Sequence, residues 1–212
     1  MSIKSAKAID KYIQGTLIKK LRNDASKFKM LTERDLEGRI IHYLSNVINE
    51  EKFLISANKT IRNLTIGGRS GTGRFLMPDI MIRDKEDDNR IIILIEIKHQ
   101  IDKISCFLER GSDEKEIDTD CKKLNRFFID PYLKKQIEYG YFIYLYRDNV
   151  KESKIRTQIK KKFRSNLKSK LNVIAINHHY DIKNKKLYLQ DRRYAINEEF
   201  EKLYNIDVKN KK

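Results

Sequence analysis

The sequence predicts a single α/β domain in which a mixed central β-sheet is flanked by helices. Two isoleucine-rich segments, residues 80–83 and 91–98, are separated by a short charged turn and have the composition of paired β-strands. A third apolar segment, residues 141–146, follows a helical pattern, and this strand, helix, strand order is typical of an α/β core. The 212 residues fit one domain. Residues 1–30 are expected to form a basic helical appendage to it.

The charge of the chain favours a polyanionic partner. Lys and Arg outnumber Asp and Glu by 46 to 30, which gives a formal net charge of +16. Nucleic acid is the first interpretation, and a lysine-rich proteome is the alternative. The apolar runs are too short to span a bilayer, and the N-terminus does not have the pattern of a signal peptide. Two cysteines without ligand-like spacing indicate a reducing compartment. We therefore expect a cytoplasmic location and no membrane partner.

Two helices are predicted in the first fifty residues. Residues 3–21 carry apolar side chains at helical spacing among lysines, as in a basic amphipathic helix. This helix is either a phosphate-contacting arm or a packed surface helix. Thr32 and Asp35 resemble a capping box at the start of a second helix that continues to about residue 50. Glu37 borders the apolar stripe of that helix, and the helix dipole alone would favour an acid there.

A weakly alternating strand at residues 52–61 and a glycine-rich loop at residues 66–74 come next. The loop holds four of the eight glycines. It matches neither a P-loop nor a dinucleotide fingerprint. Arg69 and Arg74 are candidate nucleic-acid contacts from this loop, and a long, merely tolerated turn is the alternative.

Asp79, Glu96 and Lys98 are ionisable residues at the ends of the two most apolar strands. Period-two geometry places Glu96 and Lys98 on one face, and a hairpin would bring Asp79 close to both. Two neighbouring carboxylates need a cation or a proton between them, and their oxygens suit Mg²⁺. A lysine beside such an ion can orient or deprotonate a water, or stabilise charge on a phosphate. An ordinary ion pair at a strand end is the alternative.

The pattern Pro78-Asp79 followed by Glu96-Ile97-Lys98 resembles the active-site motif of the PD-(D/E)xK nuclease superfamily, which includes restriction endonucleases. The resemblance covers roughly residues 33–147. It implies a restriction-endonuclease-like fold. It also implies that Asp79 and Glu96 hold Mg²⁺ or Mn²⁺ and that Lys98 assists the attacking water.

Two further site positions follow from this resemblance. Members of the superfamily often add a glutamate from the helix ahead of the sheet. Glu37 is the matching candidate here, with Glu33 as the alternative. Some members carry a polar residue just past the lysine, which makes Gln100 an accessory candidate.

The second half of the chain is predicted to alternate helices and strands. Residues 102–120 are expected to be a solvated loop that leads into a helix. Asp120 is expected to be a surface cap, and a further acid of the site is the alternative. Leu124, Phe127 and Phe128 begin an apolar face, and Asp130-Pro131 has the pattern of an N-cap and a first helical position. The helix is predicted to end at Gly140 as its C-cap. Residues 151–172 have the pattern of a strongly basic amphipathic helix. A strand is predicted at residues 173–176. The pair His178-His179 follows it, and a metal-binding or general-base role is not favoured for these histidines. The basic pattern indicates either DNA-backbone contact or a solvated face, with these candidate contacts: Lys160, Lys161, Lys162 and Arg164.

The predicted function is metal-dependent hydrolysis of phosphodiester bonds by an endonuclease, with DNA as the expected substrate. A catalytically silent nucleic-acid-binding or protein-interaction module on the same fold is the competing hypothesis. An RNA-directed nuclease or a branched-DNA resolvase is a third hypothesis, and homodimerisation is a further hypothesis about partners. Phosphate contacts carry no sequence information, so the basic residues do not name a recognition site.

Overall fold

Strands and helices alternate along the chain much as the sequence predicts. The computed structural model describes residues 3–27, 32–58, 65–66, 74–75, 77–87, 90–100, 112–131, 133–146, 151–167 and 169–177. Within these ranges the strands are β1 (Phe53–Ala57), β2 (Thr65–Ile66), β3 (Arg74–Phe75), β4 (Ile80–Asp84), β5 (Ile91–Gln100), β6 (Ile137–Tyr146) and β7 (Leu171–Asn177).

Five of these strands form one mixed sheet in the order β1–β4–β5–β6–β7. The pairs β1–β4 and β4–β5 are antiparallel, whereas β5–β6 and β6–β7 are parallel. β2 and β3 pair separately as a short antiparallel ribbon. The predicted mixed central sheet is therefore confirmed, and so is the hairpin of β4 with β5.

The helices pack on both faces of the sheet. They are α1 (Ala6–Tyr12), α2 (Ile18–Ser26), α3 (Glu33–Ser45), α4 (Ser112–Ile129) and α5 (Glu152–Lys162), and a π-helical turn, Ile13–Leu17, joins α1 to α2. α1, α2 and α3 bury their apolar residues against one face of the sheet, together with Ile95 and Ile97 of β5. α4 and α5 cover the other face, with Leu94 of β5 and Phe142 of β6. The central strands are thus buried on both sides, as their composition predicts.

The N-terminal helices belong to the main core. Ile9, Ile13, Leu17 and Leu21 are fully buried and recur every four residues. The π-helical turn lies between them, so the three segments act as one amphipathic helix. The basic residues predicted to surround this stripe remain on the outer side; Lys4, Lys7 and Lys11 are exposed.

The predicted capping box at the start of α3 is confirmed. The Asp35 amide donates to the Thr32 hydroxyl, and the Thr32 amide donates to the Asp35 carboxylate. Leu36, Ile40 and Leu44 form the buried stripe of this helix. It ends at Ser45, earlier than the sequence predicts.

The prediction of a loop up to residue 120 is wrong for the part that the structure describes. α4 already begins at Ser112. Its buried stripe includes Ile117 and Cys121 before it reaches Leu124 and Phe128. Five acidic residues between Ser112 and Asp120 hide this stripe in the sequence, and Cys121 serves in it as a small apolar residue.

The predicted helix to Gly140 is also wrong. α4 ends at Ile129, and the Asp130 carboxylate accepts a hydrogen bond from the amide of Leu133 in the short 3₁₀ turn Leu133–Lys135. β6 then begins at Ile137, so Gly140 lies within a strand. A Cβ at Gly140 would be 2.5 Å from Leu171 Cδ2 and 2.6 Å from Phe128 Cε2. The glycine is needed for close packing between β6, β7 and α4, and not to end a helix.

The predicted basic helix and the strand after it are both present. α5 ends at Lys162, shorter than predicted, but the predicted stripe of Ile155, Ile159, Phe163 and Leu167 is buried along its whole length. β7 includes the predicted strand at residues 173–176. Within the part of the chain that the structure describes, no helix combines the length and apolarity needed to cross a bilayer.

We expect Gly140→Ala to lower the free energy of unfolding by about 1–3 kcal/mol, because the added methyl group overlaps Leu171 and Phe128. The control is Gly38→Ala in α3, where an added Cβ meets nothing within 4 Å. This second substitution should raise the free energy of unfolding by about 0.5–1 kcal/mol, because alanine favours helix. Urea unfolding of both variants checks the pair. Equal effects of the two substitutions would contradict the packing role of Gly140.

Candidate active site

Asp79 is fixed at the start of β4 by the backbone of β5. Ile80 pairs with Ile95 in the antiparallel register, so the residue before Ile80 lies beside Glu96. The amide of Ile97 donates a hydrogen bond of 2.6 Å to Asp79 Oδ2. One carboxylate oxygen of Asp79 is therefore held by the strand, and its other oxygen, Oδ1, faces the site. The proximity of Asp79 to Glu96 follows from the hairpin, as the sequence predicts.

Glu96 is buried in the sheet and meets a lysine that sequence reasoning missed. Its side chain is only 1% exposed, and Lys123 Nζ of α4 lies 2.6 Å from Glu96 Oε2. The same Nζ lies 3.7 Å from Asp79 Oδ1. Glu96 Oε1 is also buried but has no hydrogen-bond partner. The two predicted metal-binding acids therefore share one cation, and one oxygen of Glu96 remains unsatisfied.

The electrostatics of this pair depend on burial. Burial, and then the negative charge of Asp79, raise the pKa of Glu96 well above its usual range, against the opposing charge of Lys123. Burial also opposes the charge on Lys123, but the carboxylates of Glu96 and Asp79 outweigh it and raise the pKa of the lysine. A cation between the two acids is the arrangement that lets both remain ionised.

Lys98 lies on the same face of β5 and meets the other polar residue of α4. Lys98 Nζ is 4.0 Å from Asp120 Oδ2, and both side chains are largely buried. Burial raises the pKa of Asp120 to about 6, although the charges of Lys98 and Lys123 pull it down. The prediction that Asp120 is a surface cap is therefore wrong, because it lies within α4 and faces the sheet. Asp120 and Lys123 are one turn apart on the same face of α4, where Asp120 meets Lys98 and Lys123 meets Glu96.

Glu37 reaches the site through Asn58. The side-chain amide of Asn58 donates to Glu37 Oε1 at 3.1 Å, and its backbone amide donates to the Asp79 carbonyl oxygen at 2.9 Å. Burial, and then the charge of Asp79, raise the pKa of Glu37. Glu33, one turn earlier and exposed, contributes to raising the pKa of Asp120 by its charge. Both glutamates of α3 thus lie at the site's end of the sheet, and Glu37 is the one tied to Asp79.

Asn58 adopts a conformation that few side chains tolerate. Its φ of 47° lies in the left-handed region. Asparagine visits that region more readily than most residues. The turn after β1 can therefore bring the two amide groups of Asn58 to Asp79 and Glu37 at once. No feature of the sequence pattern singles out this residue.

Several predicted residues lie outside this description. Arg69 and His178-His179 fall outside the described residues. Arg74 lies in β3 and Gln100 lies in β5. Their predicted roles therefore stay predictions.

The donor set suits Mg²⁺. Among the described residues, no group of three or more His, Cys, Asp or Glu side chains is placed to hold a metal ion. Mg²⁺ usually needs only one or two carboxylates and keeps several waters. Asp79 Oδ1 and the unsatisfied Glu96 Oε1 supply hard oxygen atoms from the two acids. These residues therefore fit the metal that the sequence motif implies.

Comparisons with protein-family models, with curated proteins and with solved structures found no match to this chain. The function of the site is therefore inferred from its geometry and chemistry.

We expect Asn58→Ala to lower the free energy of unfolding by about 1–2 kcal/mol, because alanine is strained at a positive φ and lacks the amide that Glu37 accepts. Asn58→Gly removes the same side-chain amide, but glycine adopts a positive φ without strain. We therefore expect it to lower the free energy of unfolding by less than half as much as Asn58→Ala. Urea unfolding of the two variants separates the two contributions. If Gly and Ala are equally destabilising, the left-handed conformation of Asn58 is not what stabilises this turn.

Proposed function

We propose that this protein is a metal-dependent endonuclease of the PD-(D/E)xK type, with a restriction-endonuclease-like fold, which hydrolyses phosphodiester bonds in DNA. The observation that carries the proposal is the sharing of one cation by Asp79 and Glu96 at the end of the sheet. Lys98, two residues beyond Glu96, adds a largely buried ammonium group on the same face. The sequence motif and the local geometry therefore support the same chemistry.

Asp79 and Glu96 would hold Mg²⁺ or Mn²⁺, which when bound would supply Lewis-acid stabilisation of the charge on the phosphate. The protein prepares these two acids in different ways. Asp79 is oriented by the Ile97 amide. Glu96 is confined by the apolar sheet, and its burial excludes water from one side of the site.

Lys98 would act on the attacking water or on the phosphate. Its ammonium group is held on the site's face by Asp120, so it can orient a water or stabilise negative charge that develops on the phosphate. Glu37 would assist from the far side of Asp79, through the metal or its waters. Asn58 positions it there.

The basic surface supports a nucleic-acid substrate. The chain carries a formal net charge of +16, and most basic side chains of α5 are exposed. Lys162 differs from the other predicted contacts, because its ammonium group is paired with Asp118 of α4 at 2.5 Å. Lys160, Lys161 and Arg164 are exposed.

α5 begins at the carboxyl end of the parallel strands. Glu152 accepts a hydrogen bond from the amide of Asn177, at the carboxyl end of β7. Parallel strands β5, β6 and β7 share that end, which is also where Lys98 lies. Lys160 is about 12 Å further along the helix axis, at 1.5 Å per residue. Lys151, just before α5, and Lys154, in its first turn, are both exposed and are therefore the basic residues of this segment closest to the carboxyl end of the sheet.

We expect Asp79→Asn, Glu96→Gln and Lys98→Met each to reduce Mg²⁺-dependent DNA cleavage by at least about 100-fold, because each removes a group that acts on the metal, the water or the phosphate. Glu37→Gln should reduce cleavage less, by about 10–100-fold. Initial rates on supercoiled and linear DNA, with Mg²⁺ or Mn²⁺, measure these effects.

The turn between β4 and β5 offers a matched set of controls. Lys85, Glu86 and Asp87 are exposed and lie at the opposite end of the same two strands. Lys85→Met, Glu86→Gln and Asp87→Asn make the same changes of charge and should retain cleavage. If the wild type cleaves neither DNA nor RNA with any divalent ion, the silent binding module becomes the better interpretation. Branched DNA and RNA substrates in the same assay identify the substrate class.

We expect Lys151→Gln with Lys154→Gln to weaken DNA binding more than Lys160→Gln with Lys161→Gln. Each phosphate contact that is lost should reduce the slope of log K against log salt by about 0.9. Fluorescence anisotropy across a salt series, with Asp79→Asn in the background to prevent cleavage, compares the two pairs. A larger effect of Lys160 and Lys161 would place the DNA along the C-terminal half of α5, as the sequence alone predicts.

A further inference from the structure

We infer that Lys123 is the built-in counter-cation of the acid pair: it occupies the place between Asp79 and Glu96 that a divalent ion would take, and metal binding displaces it. This inference rests on the proposed function, since it concerns how the same two acids receive their metal. It assigns a role to a residue of α4 that the sequence motif does not include.

The first argument is the count of free carboxylate oxygens. Asp79 Oδ2 is already held by the Ile97 amide at 2.6 Å. Lys123 Nζ contacts Asp79 Oδ1 and Glu96 Oε2, at 3.7 and 2.6 Å. With Asp79 Oδ2 held by the strand, an ion that bound both acids through Asp79 Oδ1 would use an oxygen that Lys123 contacts. The Lys123 ammonium group and a metal ion on the same carboxylate oxygens would repel each other, so the lysine and the metal compete.

The second argument is the burial of Glu96. A carboxylate that is 1% exposed needs a positive charge beside it, whether or not a metal is present. Lys123 supplies that charge and also contacts Asp79, so it keeps the two acids together in the metal-free protein. Glu96 Oε1 is buried without a partner, which shows that the lysine satisfies the site only in part.

The third argument is that Lys123 has a second acid to move to. Asp120 lies one turn earlier on α4, on the same face, and its carboxylate already acts electrostatically on Lys123. A displaced Lys123 would therefore stay near the reaction, between Asp120 and the incoming phosphate. Lys98 and Lys123 would then both face the substrate, whereas in the metal-free protein Lys123 neutralises the acids.

Calorimetric titration with MgCl₂ and thermal unfolding test this competition. We expect Lys123→Met to bind Mg²⁺ at least about 10-fold more tightly than the wild type, because no ammonium group has to leave. Without metal, its Tm should be lower by about 5 °C or more, because Glu96 has lost its partner, and Mg²⁺ should restore it. Lys122→Met, an exposed neighbour on α4, is the control and should change neither quantity.

NMR of the Lys123 ammonium group in the wild type gives a test that does not depend on whether Lys123→Met folds. The ¹H–¹⁵N signal of the Lys123 ammonium group is identified as the one missing in Lys123→Arg. We expect Mg²⁺ to shift or broaden it while the signals of exposed lysines stay unchanged.

The outcomes separate the two proposals. Magnesium binding that leaves the Lys123 signal unchanged, with equal affinity in Lys123→Met, overturns the competition and leaves the nuclease proposal standing. Tighter binding by Lys123→Met, or binding by that variant alone, supports the competition. Absence of binding by both proteins overturns the competition and the metal-dependent function together.

Discussion

The burial of Glu96 in the central strand of an apolar sheet is the constraint on which the site depends. A carboxylate in that position must be matched by a positive charge, because its transfer from water is otherwise too costly. Lys123 provides the charge from α4, and α4 can place it there only because Ile117, Cys121, Leu124 and Phe128 hold the helix against the sheet. The position of Lys123 is thus a consequence of ordinary core packing.

The polar groups of the site form a layer at one end of the sheet, above an apolar core. β4 and β5 contribute Asp79, Glu96 and Lys98, α4 contributes Asp120 and Lys123, and the turn after β1 contributes Asn58, which holds Glu37. Three layers of the structure meet here. The apolar side chains of the core fix the strands and helices that carry these groups.

Two lysines with different partners distinguish this site from a simple metal-binding pair of acids. Lys98, which belongs to the sequence motif, lies beside Asp120, whereas Lys123, which does not, lies between the two motif acids. Each lysine therefore lies beside an acid of opposite charge: Lys98 beside Asp120, and Lys123 beside Asp79 and Glu96. A charged ligand that bound here would rearrange these pairings, because it would change the local balance of charge.

The sequence by itself determined the mixed α/β class, the β4–β5 hairpin, the capping box of α3 and the placement of Asp79 beside Glu96. These features depend on patterns within a few residues or on one tight turn, where alternation and composition decide the outcome. It could not show that Gly140 lies in a strand, since its close neighbours Leu171 and Phe128 are distant in the chain. Nor could it show that Lys123 lies between the two acids, or that the side-chain amide of Asn58 donates a hydrogen bond to Glu37. Only the tertiary structure decided these contacts, because each joins elements whose relative position is set by the packing of the whole core.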